Sequence, residues 1–308
     1  MARRDTRRVY VNRQVARDIS YAFSAETLGG RAVIRTVENA TGRLRLIRRA
    51  AGYQDDVTSG ADFWDVMVRR YGLSLDVVGG CLSNLPASGP LVVVANHPYG
   101  ILDGLMLGHI LSRARQGEFR MLANRVFEKA RDLNSVVLPI SFEESKAALA
   151  TNLDTRRTAL RYLSDGGAIG VFPGGTVSTS ARPFSRPMDP VWRAFTAKLI
   201  LKTQATVVPV FFEGANSRLF QIASHMHTTL RMALLIKEFK RRTDEPVRVV
   251  IGSSIDCSEL AAFATDQKAM MDFLRARTYA LSQRPLPCLY GFEFEEKHKR
   301  QSNGSRHI

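Results

Sequence analysis

Two residue types suited to handling protons, His97 and Asp103, lie close together in "LVVVANHPYGILDGLML", residues 91–107. The run Leu91 to Ala95 is apolar and fits a buried strand. Pro98 and Gly100 break it, and Leu102, Leu105, Met106 and Ile110 resume at helical spacing. His97 therefore closes a strand and Asp103 opens a helix. In open α/β sheets that edge is where ligands bind. The spacing leaves two readings: a ligand-facing pair, or a core histidine beside a helix-start carboxylate.

The flanking elements decide where such a pair would stand. From about residue 73, short apolar runs follow one another: "LSLDVV", "LVVVA", "FRMLA", "SVVLPI", "AIGVF", "ATVVPVFF" and "VRVVIG". Helical segments such as "LDGLMLGHILSRA", "ESKAALATNLDTRRTALRYLSDGG" and "PVWRAFTAKLILKTQ" lie between most of them. Alternating strands and helices predict an α/β fold with a mixed, largely parallel sheet flanked by helices. Residues 1–72 read as a basic helical extension, with "TGRLRLIRRAAG" and "ADFWDVMVRRYG" each closed by a glycine. Residues 73–286 form the α/β domain, and 287–308 are expected to be a charged, frayed tail.

The chain has 308 residues, 45% of them hydrophobic, enough for a substantial core. Its 44 Lys+Arg against 29 Asp+Glu leave a net charge of +15, which points to an anionic partner surface, either acidic lipid or nucleic acid. No nucleic-acid recognition motif is present, and aromatics are a modest 8% without interleaving along a basic stretch, so nucleic acid is not the expected partner. Cys81, Cys257 and Cys288 are scattered, as in a reduced, intracellular protein. The basic N-terminus lacks an apolar h-region, so no secretory signal is expected. No run approaches the ~20 apolar residues of a membrane span.

Other chemistries can be set aside. GxSxG, P-loop and HExxH patterns are absent. His225 and His227 in "HMH" lack a third ligand, and no metal site is expected. Four blocks instead stand in order: "ANHPYGILDG" (95–104), "MLANRVFEK" (121–129), "VFPGGTVSTS" (171–180) and "VVPVFFEGANSRLFQ" (207–221). Together they resemble the glycerolipid (lysophospholipid) acyltransferases, with their Asn-His-x-Asp block, Phe-Pro-x-Gly-Thr block and later proline-ended strand. The likeness covers roughly residues 75–255. It is nearest to a bacterial branch labelled hemolysin-like, which shares the longer His-to-Asp spacing found here, NHxxxxxD.

The resemblance implies acyl transfer from a thioester, acyl-CoA or acyl carrier protein, to a lysolipid hydroxyl, with no metal or organic cofactor. It implies His97 as the base that takes the hydroxyl proton and Asp103 as the group that orients the ring and stabilises the imidazolium. Backbone N–H groups of the turn at Gly174, Gly175 and Thr176 would meet the developing oxyanion. Asn96, Arg125 and Arg218 would bind substrate. Glu213 and Asn216 fall near the same edge, and Ser178 and Ser180 read as turn or cap residues.

One departure bears on the acceptor. Enzymes acting on glycerol phosphates continue the Phe-Pro block with Glu-Gly-Thr-Arg, the Arg being assigned to the phosphate, whereas this chain has Val177 there. Either Arg125, Arg182 or Arg218 substitutes within a lysophosphatidic-acid-like acceptor site, or the acceptor is a lyso-amino lipid such as lyso-ornithine lipid. The protein is expected on the cytoplasmic face of a membrane, bound peripherally to anionic lipid. The segment Arg218–Arg242 carries Leu219, Phe220, Ile222, Met226, Leu230, Met232, Leu234 and Leu235, then Lys237, Lys240, Arg241 and Arg242. It reads either as a core helix or as an interfacial one.

Overall fold

Strand β2 (Leu91–Ala95) is buried at every position, and its alternating side chains feed two different cores. Leu91, Val93 and Ala95 face one side, and Val92 and Val94 the other. β-branched residues suit a strand covered on both faces, and each fully buried aliphatic side chain contributes about 1.5–3 kcal/mol. The structure is a computed structural model describing residues 20–25, 27–124, 133–140, 146–286 and 289–294.

β2 lies at the centre of a seven-stranded sheet of order β1-β9-β8-β2-β5-β3-β4. The other strands are β1 (Ser74–Gly79), β3 (Arg120–Asn124), β4 (Val137–Ile140), β5 (Ala168–Val171), β8 (Thr206–Phe212) and β9 (Pro246–Ile251). Each overlaps one of the apolar runs read from the sequence, extending past it by one residue at most. Every neighbouring pair is parallel except β8–β9, so the sheet is mixed and largely parallel, as expected. The C-terminal ends of β2, β5, β3, β4 and β8 consequently share one edge.

Helix α5 (Ile101–Arg115) covers one face together with α4 (Phe63–Arg70). A Cβ at Gly108 of α5 would stand 2.2 Å from the Trp64 ring, so glycine there lets the helix lie directly on the indole. The opposite face is covered by α6 (Lys146–Ser164), α7 (Phe195–Thr203) and α10 (Gln267–Tyr279). In the N-terminal region, α1 (Leu28–Thr41), α2 (Arg43–Ala50) and α3 (Tyr53–Thr58) precede α4. Gly52 and Gly72 just beyond α2 and α4 take positive φ (81° and 66°), the conformation that ends a helix at low cost. Leu46, Ala50 and Trp64 join the same core as β2, so packing is continuous across the boundary near residue 72.

The segment Arg218–Arg242 is two helices, α8 (Arg218–Met226) and α9 (Thr228–Arg242). His227 divides them, its Nδ1 accepting the Thr229 N–H at 3.0 Å and capping α9. The apolar residues of the segment separate accordingly. Phe220 and Leu235 are buried, Leu219, Met226 and Leu230 are exposed, and Ile222, Met232 and Leu234 are half-buried. α9 packs along α1 and under α5, with Ile236 and Phe239 in the main core.

A short ribbon pairs β6 (Thr179–Ser180) antiparallel with β7 (Pro187–Met188). Contrary to a tail frayed from residue 287, residues 289–294 lie against this ribbon. Gly291 and Phe292 donate to Asp189 O (2.9 Å) and Thr179 O (3.1 Å). The cause is close approach: a Cβ at Gly291 would meet Met188 O at 1.8 Å, and the following Phe292 and Phe294 rings pack edge to face. The remainder of the tail, 295–308, lies outside the described residues.

Candidate active site

Beyond Ala95 the chain leaves the sheet, but Asn96 continues the ladder with its side chain. Its Nδ2 donates to Phe212 O (2.9 Å) and its Oδ1 accepts Phe212 N–H (2.7 Å). Both amide atoms are thus committed to β8, and Asn96 anchors the turn on which His97 stands. His97 is then clamped through its own backbone. Its N–H donates to Asp189 Oδ1 (3.2 Å) and its C=O accepts from Ser178 N–H (2.7 Å). The ring stacks on Phe172 at the end of β5, centroids 4.2 Å apart. It is 18% exposed.

Asp103 occupies the first turn of α5 and is fully buried. Its Oδ2 accepts the N–H groups of Tyr99 (2.7 Å) and Gly100 (2.9 Å), and it lies 3.0 Å from His97 Nδ1. The N···O distance is that of an ion pair, although its alignment falls short of a formed hydrogen bond. Such contacts in unliganded sites tighten as substrate binds. Burial pushes the Asp103 carboxyl above its ordinary range, and the His97 contact and the two N–H donors pull it back only in part. With Nδ1 turned to Asp103, Nε2 is the nitrogen left for a substrate hydroxyl. The turn is tight enough to need Gly100, whose φ is 91°.

The glycine-rich turn follows β5. Gly175 N–H closes the turn onto Phe172 O (2.9 Å) and is therefore occupied. Gly174 and Thr176 donate no backbone hydrogen bond among the described residues. Val177 buries its side chain against Phe220 and Leu235. Behind it lies Arg231 of α9, a buried guanidinium that the sequence reading passed over. Its Nη1 donates to Thr179 Oγ1 (2.6 Å) and Ser224 Oγ (2.9 Å), and its Nη2 to Val177 O (2.8 Å) and Thr176 Oγ1 (3.1 Å). The Phe220 and Phe294 rings flank it at 4.9 and 4.3 Å. Burial pulls its pKa down to about 9, so it stays charged at neutral pH.

Asp189 is the second residue that the sequence reading missed. Besides His97 N–H it accepts the Ser178 hydroxyl on Oδ1 (2.5 Å) and the Trp192 indole N–H on Oδ2 (3.0 Å). Its only sequence signal is a carboxylate set in "PMDPVW". For Arg231 the signal is a lone cation in "TTLRMALLI".

The other expected residues are dispersed. Arg125 lies outside the described residues. Arg218 is exposed and donates to Phe184 O (3.0 Å) and Ser185 O (3.2 Å), which holds the β6–β7 loop. Arg182 is exposed on that loop. Glu213 pairs with Arg248 at 3.0 Å. Asn216 is buried with neither amide atom hydrogen-bonded among the described residues. Ser180 N–H donates to Gln221 Oε1 (3.0 Å). His225 Nε2 lies 2.9 Å from Ser180 O, so both histidines of "HMH" hold local structure. Among the described residues, no group of three or more His, Cys, Asp or Glu is placed to hold a metal ion.

A family model described as "Acyltransferase" matches residues 43–285. A lyso-glycine lipid O-acyltransferase of Phocaeicola vulgatus is 30% identical over 161 residues, 52% of this chain and 54% of that protein. Its counterpart in Bacteroides thetaiotaomicron is 29% identical over 161 residues, 52% and 56% of the two chains. The match thus spans about half the length of these curated relatives. The crystal structure of the 1-acyl-sn-glycerophosphate (LPA) acyltransferase PlsC from Thermotoga maritima aligns with a TM-score of 0.45 at 16% identity, over 83% of this chain and 98% of that one. With the model running from the second helix of the N-terminal region through the whole sheet, the chain belongs to this acyltransferase family, in line with the glycerolipid acyltransferase resemblance of its motifs.

Proposed function

We propose that this protein is a peripheral membrane O-acyltransferase that moves a fatty acyl group from a thioester to a lysolipid hydroxyl. The observation that carries the reading is the His97–Asp103 pair: a part-exposed imidazole backed by a fully buried carboxylate at the C-terminal edge of the sheet. His97 Nε2 takes the hydroxyl proton as the oxygen attacks the thioester carbonyl. Asp103 fixes the tautomer and stabilises the imidazolium that forms. The free N–H groups of Gly174 and Thr176 are the donors for the tetrahedral oxyanion, each such donor being worth roughly 10²–10³ in rate. Collapse of the intermediate breaks the C–S bond, and the departing thiolate recovers the proton from His97. No covalent acyl-enzyme forms, and the steps require neither metal nor organic cofactor. The donor is acyl-CoA or acyl carrier protein.

Among acceptors a lyso-amino lipid is favoured over a lysophosphatidic-acid-like one. The two relatives act on lyso-glycine lipid by name. In this chain Val177 turns into an apolar cluster, and the nearest guanidinium, Arg231, is committed to the turn itself. A radiolabelled acyl-transfer assay over a panel of lysolipids tests this. Lyso-amino lipids should give the highest kcat/KM. A clear preference for lysophosphatidic acid would restore the phosphate acceptor, and Arg125 would then be the first residue to substitute.

The membrane reading is supported by a basic groove of about 450 Å³ in which Arg45 and Arg49 of α2 meet Lys237, Lys240 and Arg241 of α9. Among the described residues no helix is long and apolar enough to cross a membrane. Attachment to the anionic cytoplasmic face is therefore proposed as electrostatic.

A further inference from the structure

The His97 ring lies on the β5 side of its turn, against Phe172. On the β8 side of the same turn is a cavity of about 280 Å³, whose walls include Asn96 and Pro98, the two neighbours of His97. Phe211 and Met188 give it an apolar floor. Arg186, Arg242, Arg248 and Arg284 converge on it from four separate segments, with Glu213 as the lining carboxylate. Arg248 is paired with Glu213 (3.0 Å), and Arg242 with Glu245 (2.9 Å) while it lies over the Tyr99 ring (5.0 Å). Arg186 and Arg284 have no ion-pair partner among the described residues. The wall is preformed: Tyr99 Oη donates to Glu213 O (2.7 Å), and a Cβ at Gly214 would meet that Oη at 1.8 Å.

We infer that this cavity is the subsite for the oxyanionic headgroup of the lysolipid acceptor, a carboxylate or a phosphate held by Arg186 and Arg284. The inference rests on the proposed transfer to a lysolipid. Two unpaired guanidinia beside an apolar floor match an acidic group carried on an aliphatic chain. The volume is below the roughly 300–1,000 Å³ of pockets that enclose a drug-sized ligand, so it suits a headgroup and not a nucleotide-bearing donor. The cavity and the imidazole lie on opposite sides of the turn that carries His97. The acceptor hydroxyl therefore lies several bonds from the acid. An amino-acid lipid with its free hydroxyl on the acyl chain has that layout.

The test compares the full-length protein with an Arg186→Gln/Arg284→Gln double variant, using a carboxylate lysolipid and its uncharged carboxamide. The acid-to-amide ratio of kcat/KM should fall by about tenfold or more, through the KM of the acid. A control, Arg157→Gln/Arg161→Gln on the exposed side of α6, removes equal charge and should leave the ratio as it was. A raised donor KM with an unchanged acceptor ratio would assign the cavity to the donor's phosphates and overturn the inference. So would no change in either. If the wild-type protein transfers to neither lysolipid, the functional reading fails, and the cavity is judged by binding alone. Calorimetry with a short-chain N-acylglycine below its micellar concentration, competed by inorganic phosphate, should show weaker binding to the double variant. Equal Kd values would overturn the subsite.

Discussion

Asp103 carries a cost that its position in the site explains. A carboxyl whose pKa is raised on folding holds its proton more tightly in the native state than in the unfolded chain. Stability from this group is therefore fully present below the ordinary carboxylate value of 3.8 and is lost as pH rises from there through the raised native value. Asp103→Asn keeps the shape without the charge. Its unfolding free energy in urea should decline less than that of the wild type between about pH 4 and about pH 7, while turnover at neutral pH falls by roughly 10²–10⁴. A steeper decline in the variant would mean that the His97 contact outweighs burial. This is stability given up where the proposed base is oriented. The pair itself was legible in the sequence, because five apolar residues, a proline and a glycine mark the strand end and helix start around it. Asp189 was not, since its contact with the His97 backbone spans 92 residues and no local pattern announces it.

At the scale of elements, α9 serves as a strut under the glycine-rich turn. Arg231 satisfies Thr176, Val177 and Thr179 from below, so the turn's shape depends on a helix that begins 52 residues after Thr176, at Thr228. Arg231→Ala would leave those acceptors unpaired around a side-chain-sized void. The unfolding free energy in urea should fall by on the order of 3–5 kcal/mol, with activity falling in the folded fraction. A change under about 1 kcal/mol would show that water takes over the guanidinium's bonds. The seven sheet strands could be read from their apolar runs, because breakers bound those runs and the buried strands β2, β5 and β8 demand apolar side chains. Three features could not. The break at His227 has no glycine or proline, the two-residue strands of the ribbon are too short for any periodicity, and residues 289–294 dock through long-range contacts.

For the molecule as a whole, the +15 charge has a place to act. Two basic regions carry separate proposals: the groove between α2 and α9 for the membrane, and the rim of the cavity beside the His97 turn for the headgroup. Arg242, at the end of the basic run, belongs to the second and stacks on Tyr99, so it is left out of any test of the first. Lys237→Glu, Lys240→Glu and Arg241→Glu together should weaken binding to anionic vesicles at low salt by roughly 1 kcal/mol or more per charge, read by co-sedimentation, and high salt should erase the difference. Unchanged binding would move the membrane contact to another face, where Phe184 and Leu219 are the most exposed apolar neighbours of Arg218.

The claim on which every scale rests is that His97 is the base for direct transfer. The measurement is single-turnover acyl transfer to the preferred lysolipid by purified His97→Ala, alongside the wild type at equal folded concentration. Transfer should fall by at least about 10²-fold while vesicle binding and the unfolding midpoint hold. Near-normal transfer by His97→Ala would contradict the account.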